Sequence, residues 1–343
     1  MKRIGLALLV VYTLLLLATP GASAQDGQPG CLDGPGAAPE TASRPAGVAQ
    51  FAPVLMTASV YAAPVFSPWG PANNLESIPG TSPELNTPFQ DGCPILSRDG
   101  LHLYLASNRP GGEGNLDIWV AERDNPDAPF GAPVNMGGLI NSAGRDFCPS
   151  PLRDGHGFMF VSDRPGGCGG SDIYLTRSHP VFGWEDPVNL GCEVNSPVDE
   201  AGPVLVYAEQ GAPTLYFSSA RTGGGDLYMS PMVGDWSFGP AVLVPGVNSL
   251  DTADGQPYVS RDGRELFFFS NRSGGLGASD IWSATRNSIA EPWSAPFNLG
   301  PNVNTSANET RPSLSWDGKT LLFGSNRPGV EGVSDIFYAT RDR

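Results

Sequence analysis

Five short apolar runs recur along the chain, at residues 103–105, 158–161, 215–217, 266–269 and 321–323. They are continuous rather than alternating, which predicts strands buried on both faces. Each run ends on an arginine (Arg109, Arg164, Arg221, Arg272 or Arg327) and is followed by a glycine-rich stretch. A further strand then opens on Asp117-Ile118, Asp172-Ile173, Asp226-Leu227, Asp280-Ile281 or Asp335-Ile336. Ahead of each run lies another short segment, whose acidic residue stands three places before a proline: Asp91 before Pro94, Asp146 before Pro149, Glu200 before Pro203, Asp254 before Pro257, Glu309 before Pro312. Between these two strands sits a turn, Asp99-Gly100, Asp154-Gly155, Asp262-Gly263 or Asp317-Gly318, with Glu209-Gln210-Gly211 in the third unit. Gly and Asp tolerate the positive φ that tight hairpin loops demand. A fourth strand is marked by an aromatic and a proline: Phe130 with Pro133, Trp184 with Pro187, Trp236 with Pro240, Trp293 with Pro296.

The units are in register. Asn86, Asn141, Asn195, Asn248 and Asn304, each after a branched aliphatic residue, are spaced by 55, 54, 53 and 56 positions. The last unit stops at Arg343 without a fourth strand, whereas Trp69-Gly70-Pro71 and Asn74-Leu75 near the other end match Trp293, Pro296 and Asn298-Leu299. A closed ring explains both facts, because an N-terminal strand completing the last unit removes the free edge of an open array. The expected fold is all-β: a five-bladed β-propeller of four-stranded antiparallel blades over residues 59–343.

Composition agrees with this reading. With 44 Gly and 34 Pro in 343 residues, a helical bundle is excluded, and much of the glycine falls in the predicted turns and loops. Lys2 and Arg3 precede an apolar run at residues 4–18, and Ala22-Ser23-Ala24 supplies small residues for cleavage, so residues 1–24 read as a secretory signal. The run is too short to span a bilayer, and no membrane span is expected once it is removed. Residues 25–58, rich in Gly, Pro and Ala and holding Cys31, read as a flexible linker. A periplasmic or secreted monomer follows. The net charge of −15 argues against nucleic acid and anionic lipid.

The repeated Ser-Asn-Arg-Pro-Gly-Gly (residues 107–112) and Ser-Asp-Ile (residues 171–173, 279–281 and 334–336) signatures resemble the TolB-like family of WD-like, PD-type β-propeller repeat proteins. The resemblance covers about four fifths of the chain. It implies an exported module that binds a protein or glycan partner of the cell envelope.

Two recurring constellations carry candidate chemistry. Asp91, Asp146, Glu200, Asp254 and Glu309 are expected around the mouth of the channel, at its upper end. There they either hold backbone N–H groups of the blade crossovers or bind a cation or cationic ligand. Arg109 with Asp117, Arg164 with Asp172, Arg221 with Asp226, Arg272 with Asp280 and Arg327 with Asp335 are expected to form ion pairs that pin the glycine-rich loops. Cys168 and Cys192, and Cys93 and Cys148, are candidate disulfides in an exported chain. No resident metal or cofactor is expected beyond a cation in the channel. The leading functional expectation is a binding or scaffolding module working through its upper face. The alternative is a glycoside hydrolase or lyase using carboxylates at the channel.

Overall fold

The computed structural model describes residues 66–179, 183–207 and 212–343, all within the unit Val60–Arg343. The expected signal, the linker with Cys31 and the turn at residues 209–211 lie outside them.

Five antiparallel sheets form the blades of a propeller. The first strands are Asp91–Leu96, Asp146–Pro151, Glu200–Val206, Asp254–Val259 and Glu309–Leu314. Each packs against the first strands of the blades on either side, and the series closes with Glu309–Leu314 against Asp91–Leu96. They therefore surround the central channel. The second strands, His102–Ser107, Gly157–Ser162, Thr214–Ser219, Glu265–Ser270 and Thr320–Ser325, hold the largest fully buried side chains, Phe158, Phe160, Phe217, Phe267, Phe268 and Phe323. Both faces of these strands meet a neighbouring blade, which is why their apolar runs are continuous. The third strands are Asp117–Glu122, Asp172–His179, Asp226–Pro231, Asp280–Thr285 and Asp335–Thr340.

The fourth strands are only two residues long and start just after the prolines that mark them: Val134–Asn135, Val188–Asn189, Val242–Leu243 and Phe297–Asn298. The last blade takes its fourth strand from the other end of the chain. Asn73 and Asn74 pair with Tyr338 and Phe337 of Asp335–Thr340, with Trp69 and Leu75 buried on either side. The second blade is extended by Gly183–Trp184, which pairs with the end of its third strand.

Every first strand carries a bulge at its third residue. Cys93, Cys148, Gly202, Gln256 and Arg311 lie at φ 51, 49, 61, 49 and 59°, and the ladder to the second strand shifts register there. The next residue is always proline, which has no N–H to give to the ladder, and the bulge absorbs that gap. The blades are stapled at the same level. The N–H of each acidic residue opening a first strand donates to a carbonyl of the preceding blade: Asp91 to Ser334 (3.0 Å), Asp146 to Leu116 (2.6 Å), Glu200 to Ser171 (2.8 Å), Asp254 to Gly225 (2.9 Å) and Glu309 to Ser279 (2.7 Å).

Candidate functional site

The channel has two ends. At the upper end, where first strands begin and second strands finish, stand the five acidic residues. Their carboxylates do not face the channel: all five residues are 0% exposed. Side chains of a strand point to the two faces of its sheet, and in a propeller those faces meet the neighbouring blades, so only the strand edge lines the channel. The ring of carboxylates expected around the mouth is thereby corrected to five separate buried sites.

Each site is built the same way. One carboxylate oxygen accepts the N–H of the residue after the repeated Asn: Thr87 to Asp91 (2.6 Å), Ser142 to Asp146 (2.5 Å), Ser196 to Glu200 (2.9 Å), Ser249 to Asp254 (2.7 Å), Thr305 to Glu309 (2.9 Å). The other meets the guanidinium that ends the second strand: Arg109 to Asp91 (2.6 Å), Arg164 to Asp146 (2.8 Å), Arg221 to Glu200 (3.1 Å), Arg272 to Asp254 (2.6 Å) and Arg327 to Glu309 (3.2 Å). The same guanidiniums donate to the carbonyls of Leu85, Ile140, Val194, Val247 and Val303.

The arginines therefore do not pair with the aspartates opening the third strands, and the expected Arg109–Asp117, Arg164–Asp172, Arg221–Asp226, Arg272–Asp280 and Arg327–Asp335 pairs are corrected. Asp117 instead accepts the N–H groups of Glu113 and Gly114 and the amide of Asn135. Asp280 is held likewise by Leu276, Gly277 and Asn298, Asp172 by Cys168 and Asn189, and Asp335 by Glu331 and Asn74. In the third blade Leu243 replaces that Asn, and Asp226 takes the hydroxyl of Thr222. A Cβ on Gly112 would lie 1.7 Å from Asp117 Oδ2, so the glycine-rich loop is glycine-rich because it wraps a carboxylate. The repeated Asn completes the frame by acting as a strand segment. Asn141 Oδ1 accepts from Ile118 N (2.8 Å) while its Nδ2 donates to Ile118 O (3.0 Å), and Asn195, Asn248 and Asn304 do the same to Ile173, Leu227 and Ile281.

Below this level the channel narrows to about 40 Å³ among the bulge residues Cys93, Cys148, Gly202, Gln256 and Arg311. Cys168 and Cys192 form a disulfide, whereas Cys93 and Cys148 are free thiols with sulfurs 3.1 Å apart. Burial pushes the Cys93 thiol up, but the hydrogen bond with Cys148 and the charge of Arg311 outweigh it and bring it down to about 7. Cys148 is pushed well above the ordinary thiol value by burial and by its neighbour.

The lower end is open. A cavity of about 370 Å³ is lined by Arg98, Arg153, Tyr207, Arg261 and Trp316, with Phe66 at its margin. Trp316, Arg98, Arg153 and Arg261 are each the residue before an Asp-Gly turn, so four repeats deliver them to one place. The partly buried indole of Trp316 has three guanidiniums around it, Arg98 at 5.0 Å, Arg153 at 5.7 Å and Arg261 at 5.9 Å from the ring centroid. Neighbouring carboxylates are engaged elsewhere. Asp99 is held below the ordinary carboxylate range by the Ser97 hydroxyl and the Leu101 N–H. For Asp317 burial works in the opposite direction, but bonds from the Ser315 hydroxyl and the Lys319 N–H keep it low. Glu265 is gripped by both terminal nitrogens of Arg341 (2.8 and 2.6 Å). This cluster escaped the reading of the sequence, although its signal was in plain view. The Arg-Asp-Gly, Arg-Asp-Gly, Arg-Asp-Gly and Trp-Asp-Gly triplets signal a turn, and the residue ahead of each Asp builds the cluster.

Among the described residues no group of three or more His, Cys, Asp or Glu is placed to hold a metal ion, and no helix is long and apolar enough to cross a membrane.

No protein-family model matches the sequence, and neither does any curated protein. Solved structures do resemble the fold. The catalytic domain of a GH62 α-L-arabinofuranosidase from Coprinopsis cinerea superimposes with a TM-score of 0.52 at 14% identity, covering 80% of this chain and 96% of its own. An endo-arabinase from Bacteroides thetaiotaomicron gives 0.51 at 17% identity, covering 76% of this chain and 96% of its own. A putative TolB from Agrobacterium tumefaciens reaches 0.44 at 16% identity, covering 81% and 92%. The TolB-like resemblance is thus weak and partial. At these identities the likeness establishes the five-bladed fold, and function rests on the site.

Proposed function

We propose that the protein is a carbohydrate-active propeller that recognises a glycan at the lower mouth of its channel. The observation that carries this reading is an open cavity lined by three aromatic side chains, Trp316, Tyr207 and Phe66. Aromatic faces give large, rigid contact area to the apolar face of a sugar ring at little entropic cost. The cavity falls within the ~300–1,000 Å³ typical of small-ligand sites. Proteins of the same fold named as an arabinofuranosidase and an endo-arabinase support a carbohydrate over a protein as the ligand.

Those names also favour a second reading, glycoside hydrolysis. It calls for two carboxyl groups facing each other across the scissile bond, about 5–10 Å apart. The five repeated carboxylates are buried against arginines, so an acid and base would have to come from other positions.

One experiment addresses both. Isothermal titration of neutral arabino- and xylo-oligosaccharides and of acidic oligosaccharides is expected to show binding that weakens about tenfold or more in Trp316→Ala, with the melting temperature unchanged. Absence of binding to every oligosaccharide at millimolar concentration would overturn the reading. New reducing ends in the same incubations would establish hydrolysis.

A further inference from the structure

We infer that the glycan taken at the lower mouth is anionic, with a uronate carboxylate seated among Arg98, Arg153 and Arg261 while its sugar ring lies on Trp316. The inference rests on the glycan reading above and names the class of sugar that reading leaves open.

Three facts lead to it. All three arginines are exposed, and their guanidiniums gather around one indole. From those distances no two of them are more than about 12 Å apart, close enough for one oligosaccharide to meet all three. Second, no carboxylate neutralises them. Among the described residues none of the three makes an ion pair, and the polar contact that joins them is Arg98 Nη1 donating to the Arg153 carbonyl at 3.5 Å. By contrast the arginines ending the second strands all have a carboxylate within 3.2 Å. Third, the carboxylates near this mouth are already held by other groups: Asp99 by Ser97 and Leu101, Asp262 by Ser260, Asp317 by Ser315 and Lys319, and Glu265 by Arg341. The three guanidiniums keep donors to offer an anion.

The arrangement also selects the ligand's shape. Guanidinium is planar and presents a fork that matches the two oxygens of a carboxylate. A lone anion would meet the arginines alone, and a neutral sugar would meet the aromatic side chains and offer the arginines no charge. A uronate residue has a ring to stack and a carboxylate to place in the forks, and so uses both.

The test is titration of the full chain with tetragalacturonate, neutral xylotetraose, a sulfated neutral tetrasaccharide and tetraglutamate. The expected result is tightest binding of tetragalacturonate, weakening steadily as salt is raised. Arg98→Gln, Arg153→Gln and Arg261→Gln are each expected to weaken it about tenfold and xylotetraose binding by a smaller factor, while the melting temperature stays as in the wild type. Lysine replacements, which keep the charge and lose the fork, are expected to fall between. Equal binding of xylotetraose, unmoved by the glutamine variants, overturns the anionic assignment and leaves the glycan reading standing. Binding of no oligosaccharide ends both. Tighter binding of the sulfated sugar, or of tetraglutamate in an arginine-dependent way, also overturns the uronate assignment.

Discussion

Asp146 illustrates how this molecule spends its charged residues. Its carboxylate satisfies the Ser142 N–H and hydroxyl and the Arg164 guanidinium in a site with no exposure. Asp146→Ala would leave Arg164 without its counter-charge and the Ser142 donors without an acceptor. Breaking one side of a buried pair costs about 3–5 kcal/mol. The equivalent alanine variants of Asp91, Glu200, Asp254 and Glu309 should fall in the same range, read from denaturant midpoints. The double variant Asp146→Ala with Arg164→Ala should lose less than the two singles together, because the orphaned charge is gone. One acid whose removal left stability untouched would count against a shared structural role. The spacing of these acids and their hold on crossover N–H groups were legible in the sequence; their arginine partners were not. Arg109 and Asp117 are close along a hairpin, which suggests a pair, but Asp91 and Asp117 stand level on either side of Ser107, and Asp117 is taken up by the Glu113 and Gly114 N–H groups and Asn135, which leaves Arg109 to Asp91. Sequence distance sees the hairpin and misses the strand on its other side.

At the scale of elements, the glycine-rich loop and the crossover are one device. The crossover Asn borrows the backbone of the third strand, the fourth-strand Asn bridges it to the aspartate, and the loop wraps that aspartate. Pattern alone located each part, since the parts recur in register. The aromatic residue that marks each fourth strand lies outside its two-residue pairing, and in the second blade Trp184 instead pairs with Ser178 at the end of the third strand. Trp236 even adopts φ 58°, outside any strand. In the second blade the loop and the crossover are also joined covalently, by Cys168 and Cys192, 24 residues apart. Closing a loop of that length removes about 3 kcal/mol of chain entropy from the unfolded state. Replacing both cysteines by alanine is therefore expected to lower stability by about that amount. The wild-type protein in reductant should unfold at the same denaturant concentration as the double variant. If reductant left the wild-type midpoint in place, the disulfide would contribute nothing to stability.

At the scale of the whole molecule, closure of the ring decides whether five blades behave as one. Each blade meets only its two neighbours, so an open array would unfold from its ends in steps. The seam is held by segments far apart in sequence: Asn73 and Asn74 on the last blade, Trp69 buried, and the Gly70 N–H on the Thr340 carbonyl at 2.8 Å. On the other side of the seam Gly332 packs so closely on the Phe89 carbonyl that a Cβ there would lie 2.0 Å away. Deleting residues 66–76 strips the outer strand from the last blade and exposes Phe337, Ala339 and Leu322, which now pack against or beside it. Burying two large side chains such as Trp69 and Leu75 is alone worth about 3–6 kcal/mol. The deletion is expected to turn a single calorimetric transition into a broad or two-step one beginning at lower temperature, with the last blade opening first. Hydrogen exchange should then show early loss of protection in Asp335–Thr340 while Gly157–Ser162, on the far side of the ring, still holds. A deletion variant that melted in one transition at the wild-type temperature would mean that the seam between Asp91–Leu96 and Glu309–Leu314 is enough to close the ring. The N-terminal strand would then be covering an edge without holding the circle together.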